Sequence, residues 1–155
     1  MENKYWNAEL GEYIKNTLAQ EYKALPQPEP IFNLVHIPRS SFKGLFLTHR
    51  NILIFSIGSE GLHQIGTEKN KWATSQVVVN VSASSQKKCL ELLKKSPTAL
   101  EDLFTVTERK RLRQKFKSIQ NKNLSTKLLA EFGLSLNAPS DYVIAEKSDD
   151  FLWFR

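Results

Sequence analysis

Apolar residues spaced four apart form the first clear pattern in the chain. The row comprises Trp6, Leu10, Ile14 and Leu18. This spacing places the four side chains on one face of a helix and predicts an amphipathic helix over about 7–22. The alternating prolines of the segment 25–30 cannot continue a helix, so a stiff extended connector is expected after it.

Six segments have the composition of β-strands. They cover 31–37, 51–58, about 62–67, 76–82, 142–146 and 151–154. The second is a continuous apolar run and the fourth is rich in β-branched residues, so both are expected to be strong strands. The last two are separated by a short polar loop and predict a hairpin. A turn is expected over 58–61, where two glycines flank polar residues.

Capping residues mark the start of two further helices. Ser84 or Ser85 is an N-cap candidate for a short helix that carries several leucines. The pair Ser96-Pro97 suits the N-cap and first position of a second helix, which is expected to extend to about 120.

The order of the predicted elements determines the expected fold class. A last short helix is expected from Ser125 to Gly133, which suits the left-handed position after a helix. Strands and helices are then grouped along the chain rather than strictly alternating. This grouping predicts an α+β fold with a mainly antiparallel sheet and helices packed on one face. A length of 155 residues favours a single domain over 1–155.

Composition does not identify the class of partner, but it excludes several kinds of site. The formal net charge is +6, which suits contact with nucleic acid, anionic lipid headgroups or an acidic protein. Cys89 is the only cysteine, so an intrachain disulfide and a Cys-based zinc site are excluded. Its helix-like apolar surroundings predict a core position. No apolar run reaches the ~18 residues of a membrane span, so the chain as given is expected to be soluble.

No catalytic or cofactor motif is present in the sequence. The chain lacks the phosphate-binding glycine loop, the dinucleotide fingerprint, the nucleophile elbow and the helical zinc-protease motif. His36, His49 and His63 fall on separate segments, without the i, i+4 spacing of helical metal ligands. We therefore expect no cofactor and no metal.

The strongest charge feature is the run 109–117, in which six of nine residues are basic. Its candidate contact residues are Arg109, Lys110, Arg113 and Lys117. Arg109, Arg113 and Lys117 follow at i, i+4 intervals, where like charges on a helix repel each other slightly. The run therefore has two interpretations: a phosphate-binding face, or a solvated helix face whose charges meet acidic residues elsewhere.

Several segments taken together resemble an uncharacterised family of predicted Bacteroidetes lipoproteins. The resemblance rests on 25–30, 32–34, 37–38, 48–53, 71–73, 131–133 and the ending 150–155, and it extends over nearly the whole chain. It implies that this chain is the N-terminal part of a longer protein, with a lipoprotein signal and an apolar strand before it and a second half after it. The family has no established activity, so the resemblance assigns no catalytic role.

The resemblance supplies candidate binding positions whose roles it leaves open. These positions are Gln27, Glu29, Thr48, His49, Arg50, Asn51 and Trp72. The leading hypothesis is a noncatalytic cell-envelope domain that binds a protein or glycan partner and is tethered by lipid in the full-length protein. One alternative is binding of nucleic acid or an anionic surface by the basic helix, although an envelope location argues against nucleic acid. The other alternative is an enzyme with a site near His49, Arg50 and Glu29.

Overall fold

The computed structural model describes residues 1–23, 25–58 and 61–155. They form two compact units, which we call unit 1 (1–107) and unit 2 (108–155). The α+β class predicted from the sequence is confirmed. The prediction of a single domain over 1–155 stays a prediction. The turn expected over 58–61 contains Ser59 and Glu60, which lie outside the described residues.

Unit 1 contains a three-stranded sheet with helices before and after it in the chain. Its elements are α1 (Asn3–Trp6), α2 (Glu9–Leu18), β1 (Asn51–Ile57), β2 (Gln64–Lys69), β3 (Val77–Ala83), α3 (Gln86–Lys94) and the first part of α4 (Ala99–Ser118), with 3-10 turns at Arg39–Ser41 and Gly44–Thr48. The strand order is β1-β3-β2. β3 lies parallel to β1 and antiparallel to β2, so the sheet is mixed and β1 is one of its edges.

The core of unit 1 forms where the apolar stripe of α2 meets the central strand. Leu10, Ile14 and Leu18 are buried, as the four-residue spacing predicts. Val77, Val79 and Val81 of β3 belong to the same cluster, and Val78 on the other face is fully buried as well. A strand buried on both faces requires the β-branched composition that the sequence shows.

Unit 2 is smaller and has its own apolar cluster. It contains the rest of α4, α5 (Lys122–Phe132) and an antiparallel hairpin of β4 (Ile144–Lys147) and β5 (Leu152–Phe154). Its buried residues are Leu124, Leu128 and Ala138. Lys147 donates a hydrogen bond to Glu131, which links β4 to α5 and holds the pKa of that carboxyl below its usual value.

Local capping predictions are largely confirmed. Ser85 caps α3 by accepting a hydrogen bond from the backbone N–H of Lys88. Gly133 ends α5 in the left-handed conformation, with φ of 65°. Cys89 is fully buried in the core, and burial raises the pKa of its thiol.

Three of the predicted helices have boundaries that differ from the predictions. The helix expected over 7–22 corresponds to α2 and is shorter at both ends, because Asn7 and Ala8 are not helical and α2 already ends at Leu18; the separate helix α1 precedes it. The helix after Ser96-Pro97 begins only at Ala99. The last helix begins earlier than Ser125, because the Asn121 side chain accepts from the Leu124 N–H and supplies the cap.

The strand expected over 31–37 is not formed. The segment has no regular secondary structure and belongs to neither sheet. Its first two N–H groups donate instead to carbonyls at and just beyond the end of α2: Ile31 to the Gln20 carbonyl at 2.9 Å and Phe32 to the Leu18 carbonyl at 3.0 Å. Phe32 and Leu34 of this segment pack on the core, whereas Val35 is 68% exposed.

Candidate functional site

Unit 1 contains a cavity of about 680 Å³, which we call the β1 cavity. That size lies within the roughly 300–1,000 Å³ that is usual for binding pockets. It is lined by α1 and α2, the segment 32–37, the two 3-10 turns, the first residues of β1, and Phe104 of α4. Most lining side chains are apolar, and several of them belong to the core cluster. The cavity is therefore an opening into the hydrophobic core of unit 1.

The unpaired strand edge of β1 lies along this cavity. The Arg50 carbonyl accepts from the Val77 N–H at 2.8 Å, and the Gly58 N–H donates to the Ala83 carbonyl at 3.0 Å. Backbone groups alternate in direction along a strand, so the even-numbered residues between these two positions face β3. Leu53 and Phe55 therefore direct their N–H and C=O groups to the opposite edge. Within the described ranges, neither residue has a backbone hydrogen-bond partner there.

One buried polar residue fixes the loop that borders the cavity. Gln76 is only 1% exposed. Its side-chain amide donates to the carbonyls of Leu47 (2.6 Å) and His49 (2.7 Å), and its carbonyl oxygen accepts from the Trp72 N–H (3.0 Å). These bonds connect the turn that enters β1 with the turn that enters β3. Gln76 is not among the site residues predicted from the sequence, where the only signal is a polar residue at the start of a β-branched run.

The polar lining of the cavity is cationic or neutral. It consists of Asn33, His36, Arg39, Thr48, His49, Arg50 and Asn51. No aspartate or glutamate of the described residues lines the cavity. His36 has a structural role, because it stacks on Trp6 at 4.7 Å and its Nε2 lies 2.9 Å from the Met1 carbonyl. The Arg39 side chain is exposed, and no described residue forms an ion pair with it.

The predicted binding residues divide into two groups in the structure. His49, Arg50 and Asn51 line the β1 cavity, together with Thr48. Gln27 and Glu29 lie in the exposed proline-rich loop and do not line it. The Glu29 carbonyl accepts from the Tyr22 N–H, which closes that loop. The cavity thus does not bring Glu29 together with His49.

Trp72 lies next to the cavity without lining it. Its ring contacts Phe42 edge-on at 5.8 Å, and Phe42 is a lining residue. The Lys71 ammonium lies 4.9 Å from the centre of the Trp72 ring. Trp72 therefore supports a side chain of the cavity, and the Gln76 bond to its N–H holds it in place.

The predicted basic patch is exposed on α4. Arg109, Lys110, Arg113 and Lys117 are all exposed, and none of them pairs with a carboxylate in the described part of the chain. Arg111, in the same run, behaves differently. It contacts Glu108 at 2.6 Å and its side chain is only 9% exposed.

Two further features bear on what the protein can bind. Among residues 1–23, 25–58 and 61–155, no three His, Cys, Asp or Glu side chains are grouped so that they could hold a metal ion. None of the helices in these ranges is both long enough and apolar enough to cross a bilayer.

Comparison with known proteins places the chain in a family. Residues 1–117 match the model of a domain of unknown function, DUF8532, and the chain belongs to that family. The match covers all of unit 1 and the part of α4 that carries the basic patch. No curated protein and no solved structure matches the chain.

Proposed function

We propose that this protein is a noncatalytic binding domain and that its partner docks at the β1 cavity. The observation that carries the proposal is the lining, which combines apolar side chains with cations and lacks a carboxylate from any described residue. Binding pockets are mostly apolar with a few orienting polar groups. General acid–base catalysis instead needs titratable groups positioned together. Glu29, which the alternative of an enzyme requires near His49 and Arg50, does not line the cavity.

The exposed apolar residues at the cavity favour a protein partner over a glycan. Leu45 is 85% exposed and Val35 is 68% exposed, and both line the cavity. Apolar side chains that remain in water contribute favourable free energy when a partner covers them. A glycan offers mainly hydroxyl groups and would cover this surface poorly.

A location in the cell envelope and a lipid tether in the full-length protein belong to the same proposal. They are supported by the sequence resemblance to predicted lipoproteins. The test is to express the natural full-length gene in its host, label the cells with palmitate and separate membrane from soluble fractions. Labelled protein in the membrane fraction is expected. Unlabelled protein in the soluble fraction would contradict this part of the proposal and leave the role of the cavity unaffected.

The docking role is tested with an apolar anion, anilinonaphthalene sulfonate, whose sulfonate complements Arg39. We expect fluorescence to rise on binding to the native protein. Leu45→Asp should weaken this binding about tenfold, which corresponds to ~1.4 kcal/mol. The matched control is Leu62→Asp, because Leu62 is also an exposed leucine (52%) but does not line the cavity. Equal binding by the two variants would contradict docking at this site.

A second candidate function is binding of an anionic polymer or surface through α4. The four exposed cations without a carboxylate partner in the described residues favour it. Binding to duplex DNA should then fall steeply with salt and be lost in the double variant Arg113→Glu/Lys117→Glu. Unchanged DNA binding by this variant would exclude the basic face of α4 as the binding surface.

A further inference from the structure

We propose that the occupant of the β1 cavity is an extended peptide of a partner protein, which adds as a fourth strand to the free edge of β1. This inference rests on the proposed function and specifies its partner. The peptide would bond to the outward N–H and C=O groups of Leu53 and Phe55 and place an acidic side chain at Arg39. Its chemistry is thus an alternating apolar strand with one carboxylate.

The backbone of β1 supplies the first argument. Leu53 and Phe55 direct their polar backbone groups to the open edge, where the described residues offer no hydrogen-bond partner. Such an edge is a template for pairing with another chain. The nearby segment 32–37 lines the same cavity but forms no backbone hydrogen bond to β1. An added strand would satisfy the groups that this segment leaves unpaired.

The opposite edge of the same sheet provides an internal comparison. β2 is mostly exposed, and its edge carries the charged residues Glu68 and Lys69. Charged residues are the usual protection of an edge strand against pairing. β1 carries no charged residue, and the apolar cavity lies along it. The two edges of the sheet thus differ in composition, and of the two only the β1 edge lacks the charged residues that discourage strand pairing.

Side-chain alternation supplies the second argument. Successive residues of a strand point to opposite faces, so every second side chain of an added peptide can enter the cavity. Phe32 and Phe104, whose rings meet edge-to-face at 6.1 Å, both line the cavity with Phe55. These aromatic side chains provide the apolar surface that alternate side chains of the peptide would cover.

Charge complementarity selects the polar part of the peptide. Arg39 lines the cavity and has no ion-pair partner among the described residues. A guanidinium pairs best with a carboxylate, to which it can donate two hydrogen bonds. We therefore expect a peptide with a glutamate to bind more tightly than the same peptide with a lysine.

The test uses the whole chain and a panel of synthetic peptides of about ten residues, which alternate valine and threonine and carry one glutamate at varied positions. Amide hydrogen exchange is followed by NMR. In the free protein, the Leu53 and Phe55 amides should exchange faster than those of Ile52 and Ile54, which face β3. At saturating peptide, the exchange of Leu53 and Phe55 should slow at least about tenfold, whereas Ile52 and Ile54 should change little.

Matched charge variants test the placement of the acidic side chain. Arg39→Glu should weaken binding of the glutamate peptide about tenfold and favour the lysine peptide. Lys69→Glu, an equal charge change on the β2 edge, should leave binding unchanged. Equal effects of the two variants would show that Arg39 does not recognise the carboxylate.

Other outcomes separate this inference from the proposed function. If no peptide protects the Leu53 and Phe55 amides while the sulfonate dye still binds in a Leu45-dependent way, strand addition is wrong and the docking role stands. If neither probe binds, both proposals fail. Protection of these amides in the free protein that grows with protein concentration would identify a second copy as the occupant and overturn the inference.

Discussion

Gly11 shows how one residue controls the packing of the two N-terminal helices. It is buried on α2, and a Cβ built there would overlap the Trp6 backbone carbonyl. We expect Gly11→Ala to lower the free energy of unfolding by about 2–4 kcal/mol, because backbone atoms must move to relieve the overlap. Urea denaturation measures this change. Gly66→Ala on β2 is the control, since open space surrounds Gly66. An equally small change in the free energy of unfolding for both substitutions would contradict close packing of α1 against α2.

At the residue scale, the sequence predicted what depends on near neighbours. The Ser85 cap, the left-handed Gly133 and the buried Cys89 follow from a few adjacent residues, and all three are confirmed. Gln76 could not be predicted, because its partners Leu47 and His49 lie 29 and 27 positions away along the chain. A buried amide is recognisable only when its distant partners are known.

At the element scale, Gln76 joins the two turns that enter β1 and β3. Gln76→Leu removes a donor from two carbonyls and an acceptor from the Trp72 N–H. We expect a loss of about 2 kcal/mol in stability, measured by urea denaturation, together with weaker dye binding at the β1 cavity. The same substitution at exposed Gln64 on β2 should change stability by less than about 0.5 kcal/mol. Equal stability of both variants would mean that the Gln76 bonds contribute nothing net.

The segment 31–37 shows why strand pairing is hard to predict from the sequence. The sequence predicts a strand there, and Phe32 and Leu34 pack on the core of unit 1, but the segment joins neither sheet. Whether an extended segment joins a sheet depends on a neighbour at hydrogen-bonding distance, and that neighbour is set by the whole topology. The parallel pairing of β1 with β3 has the same origin, because it requires a crossover that passes through β2.

At the scale of the whole molecule, the two units have apolar cores of very different size. The cluster of unit 1 draws buried residues from α2, β1, β3, α3 and α4, whereas that of unit 2 has only Leu124, Leu128 and Ala138. We expect the amides of α5 to exchange with solvent through an opening of lower free energy than those of β3, because less apolar area holds them. Native-state hydrogen exchange measures both. Identical opening free energies for the α5 and β3 amides would indicate that the two units unfold as one cooperative unit.

The candidate site was only partly accessible from the sequence. The resemblance drew attention to His49, Arg50 and Asn51, which line the β1 cavity, and also to Gln27 and Glu29, which do not. A cavity forms between segments that are distant in sequence, so no local pattern marks its walls. Arg39 in particular has no sequence context that distinguishes it from the other basic residues of the chain.

The burial of Cys89 determines when two copies of the protein can be linked by a disulfide. A fully buried thiol with a raised pKa reacts slowly while the chain is folded. Two copies can become covalently linked only after both have opened far enough to expose this side chain. A covalent dimer on a non-reducing gel is therefore formed only by molecules that have exposed Cys89 through unfolding.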